Sequence, residues 1–474
     1  MIHISHKIEL HVNNKFKTYC QTAFEVARIS WNWGLNEFLK SLEEYKKEMP
    51  LYEEKRKAYL EGKLSLVEAP KKSRLPSGYD LEKRFNAVKR DLYPKVTSVT
   101  KYAGKRPFKQ LEQALLKYYD NKKQREAKKT SRKVGFPKPR VYSFNHGSFY
   151  IGGDHIKVSK GKSNSLTFNN SSNAKDYVWI PNFGWVKLKE NLRFNGHIDS
   201  VTITQKANRY FISFELEITD GEFTRTHSKA KVQHDTASGI DLGLDSTLVT
   251  SDGISINAPK PLGKNLFKVK RTYRNMERKR HPTFKGDETK KSKNYIKATR
   301  KLAILKAKIA NKRKDFTQKA TTVLTNNYDN LCIESLNVNG MMKNGRLARY
   351  ISDVSFSDIK YKLLYKAEHR QKTIYQVDRF YPSSKTCCKC GFVKKELPLS
   401  TRVFICEKCQ NKIDRDVQAA INLRDQIKVL ANDPSLSFKT VNMATLIEQL
   451  STNELPFNLI DSNKCGSKEF LCNR

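Results

Sequence analysis

Apolar and polar residues alternate through His3, Ile4, His6, Ile8, Leu10 and Val12, the period of a strand with one covered face. The following stretch, KFKTYCQTAFEVARISWNWGLNEFLKSLEEYKKE, changes to helical spacing, and the pattern stays mostly helical to about Lys129 apart from a proline-bearing patch at Pro70 to Pro76. Trp31 and Trp33 lie in this block and could stack on RNA, but their helical spacing favours a place in the core. Between Phe136 and Ile218 short alternating runs take over, YSFNHGSFYIGGDHIKV, WIPNFGWVKL and SVTITQKANRYFISFELEI, the last predicting a hairpin around Lys206 to Arg209. This region predicts a small β-barrel or sandwich that the strand at Ile2 to Val12 can join, with a loop at Gly161 to Asn173.

After a polar linker at Thr224 to Ser238 the pattern becomes three strands, a long helical segment, the strand YDNLCIESLNV, a helix around Phe356 to Ala367 and the strand TIYQVD. Strands alternating with helices indicate an α/β sheet domain. Past Leu430 the chain is polar and weakly patterned, which predicts at most one short helix in a mobile tail.

Charge changes this picture most. The chain has 474 residues, with 90 lysines and arginines against 48 acids, a formal charge of +42. A charge of that size calls for a polyanion, and with no run of eighteen apolar residues and no outstanding basic amphipathic helix, nucleic acid is favoured over a membrane surface. From Lys260 to Lys319 there are 22 basic residues against 4 acidic ones, which favours nucleic-acid contact over a merely solvated helix face. The N-terminus MIHISHKIEL lacks the pattern of a secretory signal, so a cytoplasmic, nucleoid-associated protein is expected.

Five of the nine cysteines crowd into Cys387, Cys388, Cys390, Cys406 and Cys409, while Cys20, Cys332, Cys465 and Cys472 are scattered. Cys387 with Cys390 and Cys406 with Cys409 make two CxxC knuckles separated by fifteen residues, the arrangement of a zinc ribbon, and Cys388 is left over. Four thiolates leave zinc no open position, so this site is structural and chemistry must lie elsewhere. Asp241 in GIDLG, Glu334 in LCIESLNV and Asp416 in DRDVQAAINL are the candidates. The first two follow apolar strand residues, where an acid is costly unless something positive is bound to it. Asp416 lies in the first turn of a helix whose inward stripe is Val417, Ala420, Ile421 and Ile427, and Asp414 is placed better as its N-cap. Three such carboxylates can hold two magnesium ions about 3.5 to 4 Å apart for phosphodiester hydrolysis. Asp241 also permits a phosphate-loop ATPase reading, but the chain has no GxGxxG or GxxxxGK[ST].

GIDLGLDSTLVTSDG, NYIKATRKLAILKAKIANKRKDF, IESLNVNGMMKN, SSKTCCKCG with CEKCQ, and DRDVQAAINL together resemble the TnpB (OrfB) proteins of bacterial insertion sequences, relatives of the compact type V CRISPR effectors. SWNWGLNEF, KVGFPKPRVYSF and WIPNFGWVKL resemble that family more loosely. The chain departs from the family's pattern at Val417 and Gln418, where residues after the last acid are usually Asn-rich, and at Gln410, where a glycine usually follows the second knuckle. The resemblance implies a multidomain α+β protein. A β-barrel wedge domain, residues 1–14 and 131–232, is interrupted by a helical recognition domain at 15–130. A RuvC-like α/β nuclease domain of RNase H fold covers 233–430, with a basic helical insert at 258–325 and a zinc ribbon at 381–413, and a flexible tail occupies 431–474. Asp241, Glu334 and Asp416 match the acidic triad of that nuclease. The implied activity is a magnesium-dependent endonuclease that uses a guide RNA to pair with double-stranded DNA beside a short recognised motif and cuts both strands. A catalytically inactive RNA-guided repressor, a compact type V CRISPR effector and a DNA-strand transferase are the alternatives.

Overall fold

The computed structural model describes residues 1–460 except 62–73, 132, 144, 160–175, 228–234, 285–286 and 399. The loop expected at Gly161 to Asn173, part of the patch at Pro70 to Pro76, and Cys465 and Cys472 fall outside the described residues. The chain divides into two compact units, Met1–Phe223 and Thr224–Arg474. No helix among the described residues is long and apolar enough to cross a membrane.

The first unit opens with strand β1 (Ile2–Glu9) and helix α1 (Asn14–Leu60), whose N-cap Asn13 accepts the Phe16 N–H at 2.8 Å. Phe16, Tyr19, Cys20, Ala23, Val26, Ala27, Trp31, Leu35 and Phe38 form the buried stripe of α1, and burial ends there as the sequence turns charged. Trp31 is buried, with its Nε1–H donated to the Lys138 carbonyl at 3.0 Å, and Trp33 packs against Phe85 and Phe108. Both indoles are therefore packing groups. Helix α2 (Gly78–Leu92) starts with a capping box in which Ser77 and Asp80 satisfy each other's backbone N–H, and α3 (Lys101–Glu126) packs along α1. Strands β2 (His146–Gly152), β3 (Lys157–Ser159), β4 (Tyr177–Ile180), β5 (Gly184–Lys187), β6 (His197–Lys206) and β7 (Arg209–Ile218) follow. They form an antiparallel sheet of order β1-β7-β6-β2 and a smaller one of order β3-β4-β5. The hairpin between β6 and β7 turns at Ala207, and β1 pairs along β7 from Ile2 opposite Ile218 to Glu9 opposite Phe211. Side chains of both sheets, Ile203 and Phe214 from one and Val178 and Ile180 from the other, share one core with the first turns of α1.

Helix α4 (Asp220–His227) runs across the boundary between the units. The second unit contains β8 (Ala237–Asp241), β9 (Leu248–Thr250), β10 (Ile254–Ile256), α5 (Pro261–Glu277), α6 (Lys293–Asn327), β11 (Asn330–Glu334), α7 (Val338–Met341), α8 (Ala348–Val354), α9 (Phe356–His369) and β12 (Thr373–Val377). Next come β13 (Val403–Ile405), β14 (Lys412–Asp414), α10 (Arg415–Leu430), α11 (Met443–Thr452) and β15 (Phe457–Leu459). Six strands form one sheet of order β12-β11-β8-β9-β10-β15, in which β8, β11 and β12 run parallel. Strands β8 and β11 are buried along nearly their whole length, which is why their residues are small or apolar up to the closing acid, apart from Ser238, which bonds Ser251, and Asn330 at the start of β11. The basic helices α5 and α6 pack against each other, anchored by buried Asp353, which accepts the Leu262 and Gly263 N–H groups at 2.9 and 2.8 Å and pairs with Arg313 at 2.7 Å.

The expectation of a flexible tail at 431–474 is corrected over its described part. Helix α11 buries Leu446 and Leu450, Val441 and Leu455 join the same core, and β15 pairs antiparallel with β10 at the sheet edge. Met443, Leu446, Ile447 and Leu450 stand at helical spacing, a short amphipathic signal diluted by the polar residues around it.

Candidate metal centres

The sheet register sets two of the three candidate acids side by side. In the pairing of β8 with β11, Ile333 lies opposite Ile240, so Asp241 and Glu334 each follow at the ends of neighbouring parallel strands. The third comes from α10, whose N-cap is Asp414, as expected: its carboxylate accepts the N–H groups of Asp416 and Val417 at 2.9 and 3.1 Å. Helix α10 lies directly on β8 at Gly239, where a Cβ would stand 1.9 Å from the Ala420 carbonyl oxygen. Only glycine permits this approach, and it brings the first turn of α10 towards the end of β8.

Electrostatics register the resulting proximity. Burial and then the nearby Asp416 and Glu334 carboxylates push Asp241 well above the usual carboxylate range, against the pull of Arg415 and the Leu242 N–H. Burial and Asp414 raise Asp416 as well, opposed by Arg402 and Arg415. A partly enclosed group of like charges is short of positive charge, and a divalent cation fits such a donor set.

Three further residues, which the sequence reading did not single out, belong to this site. Ser383 donates its hydroxyl to a Glu334 oxygen, and Asn422 of α10 donates to the Ser383 and Thr386 carbonyls at 2.6 and 2.7 Å, tying the loop after β12 to α10. Arg402 reaches from the segment before β13 to Asp245 at 2.9 Å and to Asp416 at 4.0 Å. Only its place inside the cysteine-rich segment could have pointed to it.

The four cysteines lie next to this group. Their sulfurs all fall within 4.8 Å of one another, with Cys387 to Cys409 at 3.6 Å and Cys390 to Cys406 at 3.5 Å. Tetrahedral zinc with Zn–S bonds of about 2.3 Å needs sulfurs roughly 3.8 Å apart, so the set fits zinc. Among the described residues this is the one group of three or more metal-ligating side chains gathered that tightly. Cys388 stays outside it and accepts a contact from the Asn411 amide at 3.7 Å. Each knuckle is closed by a residue in the left-handed region, Gly391 at φ 72° and Gln410 at φ 54°. The hairpin of β13 and β14 joins the knuckles, and Phe404, Ile413, Cys387 and Cys406 pack with Val249 of β9 and Val417 of α10. Val249 stands opposite Asp241 in the sheet, so the cysteine cluster braces the strand pair that carries the acid.

Three family models match the chain. A "Probable transposase" model of the OrfB group covers residues 220–345, a "Helix-turn-helix domain" model of the same group covers 1–47, and a "Cas12f1-like, TNB domain" model covers 356–423. In this chain residues 1–47 form β1 and most of α1. A Streptomyces pristinaespiralis protein named "Putative RNA-guided DNA endonuclease" is 35% identical over 225 residues, 47% of this chain and 52% of that one. In these three segments the chain is similar to the OrfB family of insertion-sequence proteins. A second relative, "Putative RNA-guided DNA endonuclease InsQ" of Escherichia coli strain K12, is 29% identical over 52% of this chain and 61% of its own. The matched part of the chain thus spans between half and two thirds of the length of these two relatives. The solved "Structure of the mini-RNA-guided endonuclease CRISPR-Cas_phi3" aligns over 92% of this chain and 94% of its own, with TM-score 0.45 and 10% identity.

Proposed function

We propose that this chain is a guide-RNA-dependent DNA endonuclease of the TnpB type. In this reading residues 233–430 are a RuvC-like domain of RNase H fold, residues 1–14 and 131–232 a β-barrel wedge, and residues 15–130 a helical recognition domain. The observation that supports it is the convergence of Asp241, Glu334 and Asp416 from two parallel strands and a helix start, with Asp241 raised by the other two. The names of the relatives supply the reaction class, and a chain of +42 supplies the affinity for RNA and DNA phosphates that such a reaction needs.

Asp241, Glu334 and Asp416 would hold magnesium, which when bound activates water and stabilises the leaving oxygen of the phosphodiester. The protein's own groups prepare that site. Asp241 releases its proton to bind a cation, so metal affinity weakens as pH falls. Ser383 fixes one Glu334 oxygen and leaves the other free to ligate. Arg402, paired to Asp245 and near Asp416, sets a positive group where a phosphate approaches the acids. The zinc ribbon holds the strand and helix that carry two of the acids.

The test is cleavage of a duplex matched to the RNA that copurifies with the protein. Cutting in magnesium is expected, falling at least about a hundred-fold in Asp241→Ala. Equal cutting by that variant, or protein that purifies without RNA, overturns the reading.

A further inference from the structure

We infer that Phe380 and Arg379 form a stacking platform for an unpaired base of the DNA strand that enters the acidic cleft. Phe380 leaves 76% of its surface exposed, whereas Tyr381 beside it turns inward onto the cluster of Val377, Leu423 and Ile427. The turn is held rigidly. The Asp378 carboxylate accepts the Phe380 N–H at 2.8 Å, and the Asp378 carbonyl accepts the Tyr381 N–H at 3.1 Å. The Arg379 guanidinium lies 4.4 Å from the centre of the Phe380 ring. With the guanidinium on one face, the ring offers its other face to an unpaired base, and the cation serves the neighbouring phosphate.

Its place in the fold selects the ligand. Val377, three residues before Phe380, pairs with Glu334, and Ser383, three residues after it, donates to the Glu334 carboxylate. The turn is therefore tethered to the acid on both sides, and three residues reach at most about 11 Å. A strand with a phosphate at the acids comes within reach of this ring. The occupant is single-stranded, because bases within a duplex are already stacked and present no free face. The inference rests on the proposed function in one respect, that the strand reaching the cleft is DNA.

The test uses the full chain with its retained RNA, in calcium instead of magnesium so that binding is read without cutting. Fluorescence anisotropy with a labelled single-stranded oligodeoxynucleotide should show Phe380→Ala binding about five-fold to a hundred-fold more weakly than wild type. Its affinity for a duplex of the same sequence should be unchanged. The Phe380→Trp variant should keep wild-type affinity, and its added indole emission should be quenched by the single strand. Equal zinc content and melting temperature in Phe380→Ala confirm that the exposed ring does not support the fold. Single-strand affinity within two-fold of wild type in Phe380→Ala, unquenched emission in Phe380→Trp, or preference for an RNA oligonucleotide overturns the inference. Failure of the nuclease reading is seen separately, as undiminished cutting by Asp241→Ala, and leaves these binding measurements to be judged alone.

Discussion

The two candidate metal centres stand side by side and are built in opposite ways. All four thiols come from one stretch, Cys387 to Cys409, closed by two short turns and a hairpin. The three carboxylates come from residues 241, 334 and 416, and only strand pairing and the contact of α10 with Gly239 bring them together. The thiols pack into a tight group that fits a structural ion. The carboxylates leave their charge partly uncompensated, which is the condition for an exchangeable metal. A local site is complete within one stretch of chain, whereas a site assembled at the ends of interior sheet strands depends on the whole fold.

The largest effect that separates the two centres is loss of zinc. Cys390→Ser should reduce zinc from one per chain to none, forfeiting an apparent binding energy of about 10–16 kcal/mol, with proteolysis appearing within residues 381–413. Cutting should fall as well, because the ribbon packs on Val249 opposite Asp241; cutting that persists without zinc would break the proposed bracing. Next in size is Ser383→Ala, which frees Glu334 and should lower cutting about ten- to a hundred-fold while zinc content stays the same.

A pH titration sharpens the contrast further. Asp241 keeps its proton in the folded metal-free chain to higher pH than an unfolded aspartate with pKa about 3.9. Metal-free stability should therefore fall as pH rises from about 4 towards the raised folded value, and Asp241→Asn should lessen that fall in a series of thermal melts, Asp416 supplying the rest. Magnesium should oppose it. The smallest effect concerns Gln410, whose left-handed backbone suits glycine. Gln410→Gly should stabilise the ribbon by about 1 kcal/mol, seen as a higher melting temperature without change in cutting.

The strand-helix order of the second unit was readable because buried parallel strands such as NLCIE carry unbroken apolar runs, and because the helices between them are long. The knuckles were readable because their spacing is itself the geometry. Asp241, Glu334 and Asp416 could be named as candidates, but an acid after an apolar run does not state which other acid it will face. Ser383 and Asn422 left no mark, and Arg402 only its place inside the cysteine-rich segment, since their partners lie 49, 39 and 157 residues away. Segment 441–459 was misjudged because a ten-residue helix and a three-residue edge strand carry too little periodicity to stand out from polar surroundings.

Sequence alone determined the two knuckles, the concentration of positive charge and the three acids worth watching, since each is written in residue type and spacing over short distances. Tertiary structure decided what those acids share. Register between β8 and β11, and the absence of a side chain at Gly239, convert three separate carboxylates into one charged group with a wall built by the cysteine cluster, because proximity between distant stretches of sequence is a property of packing.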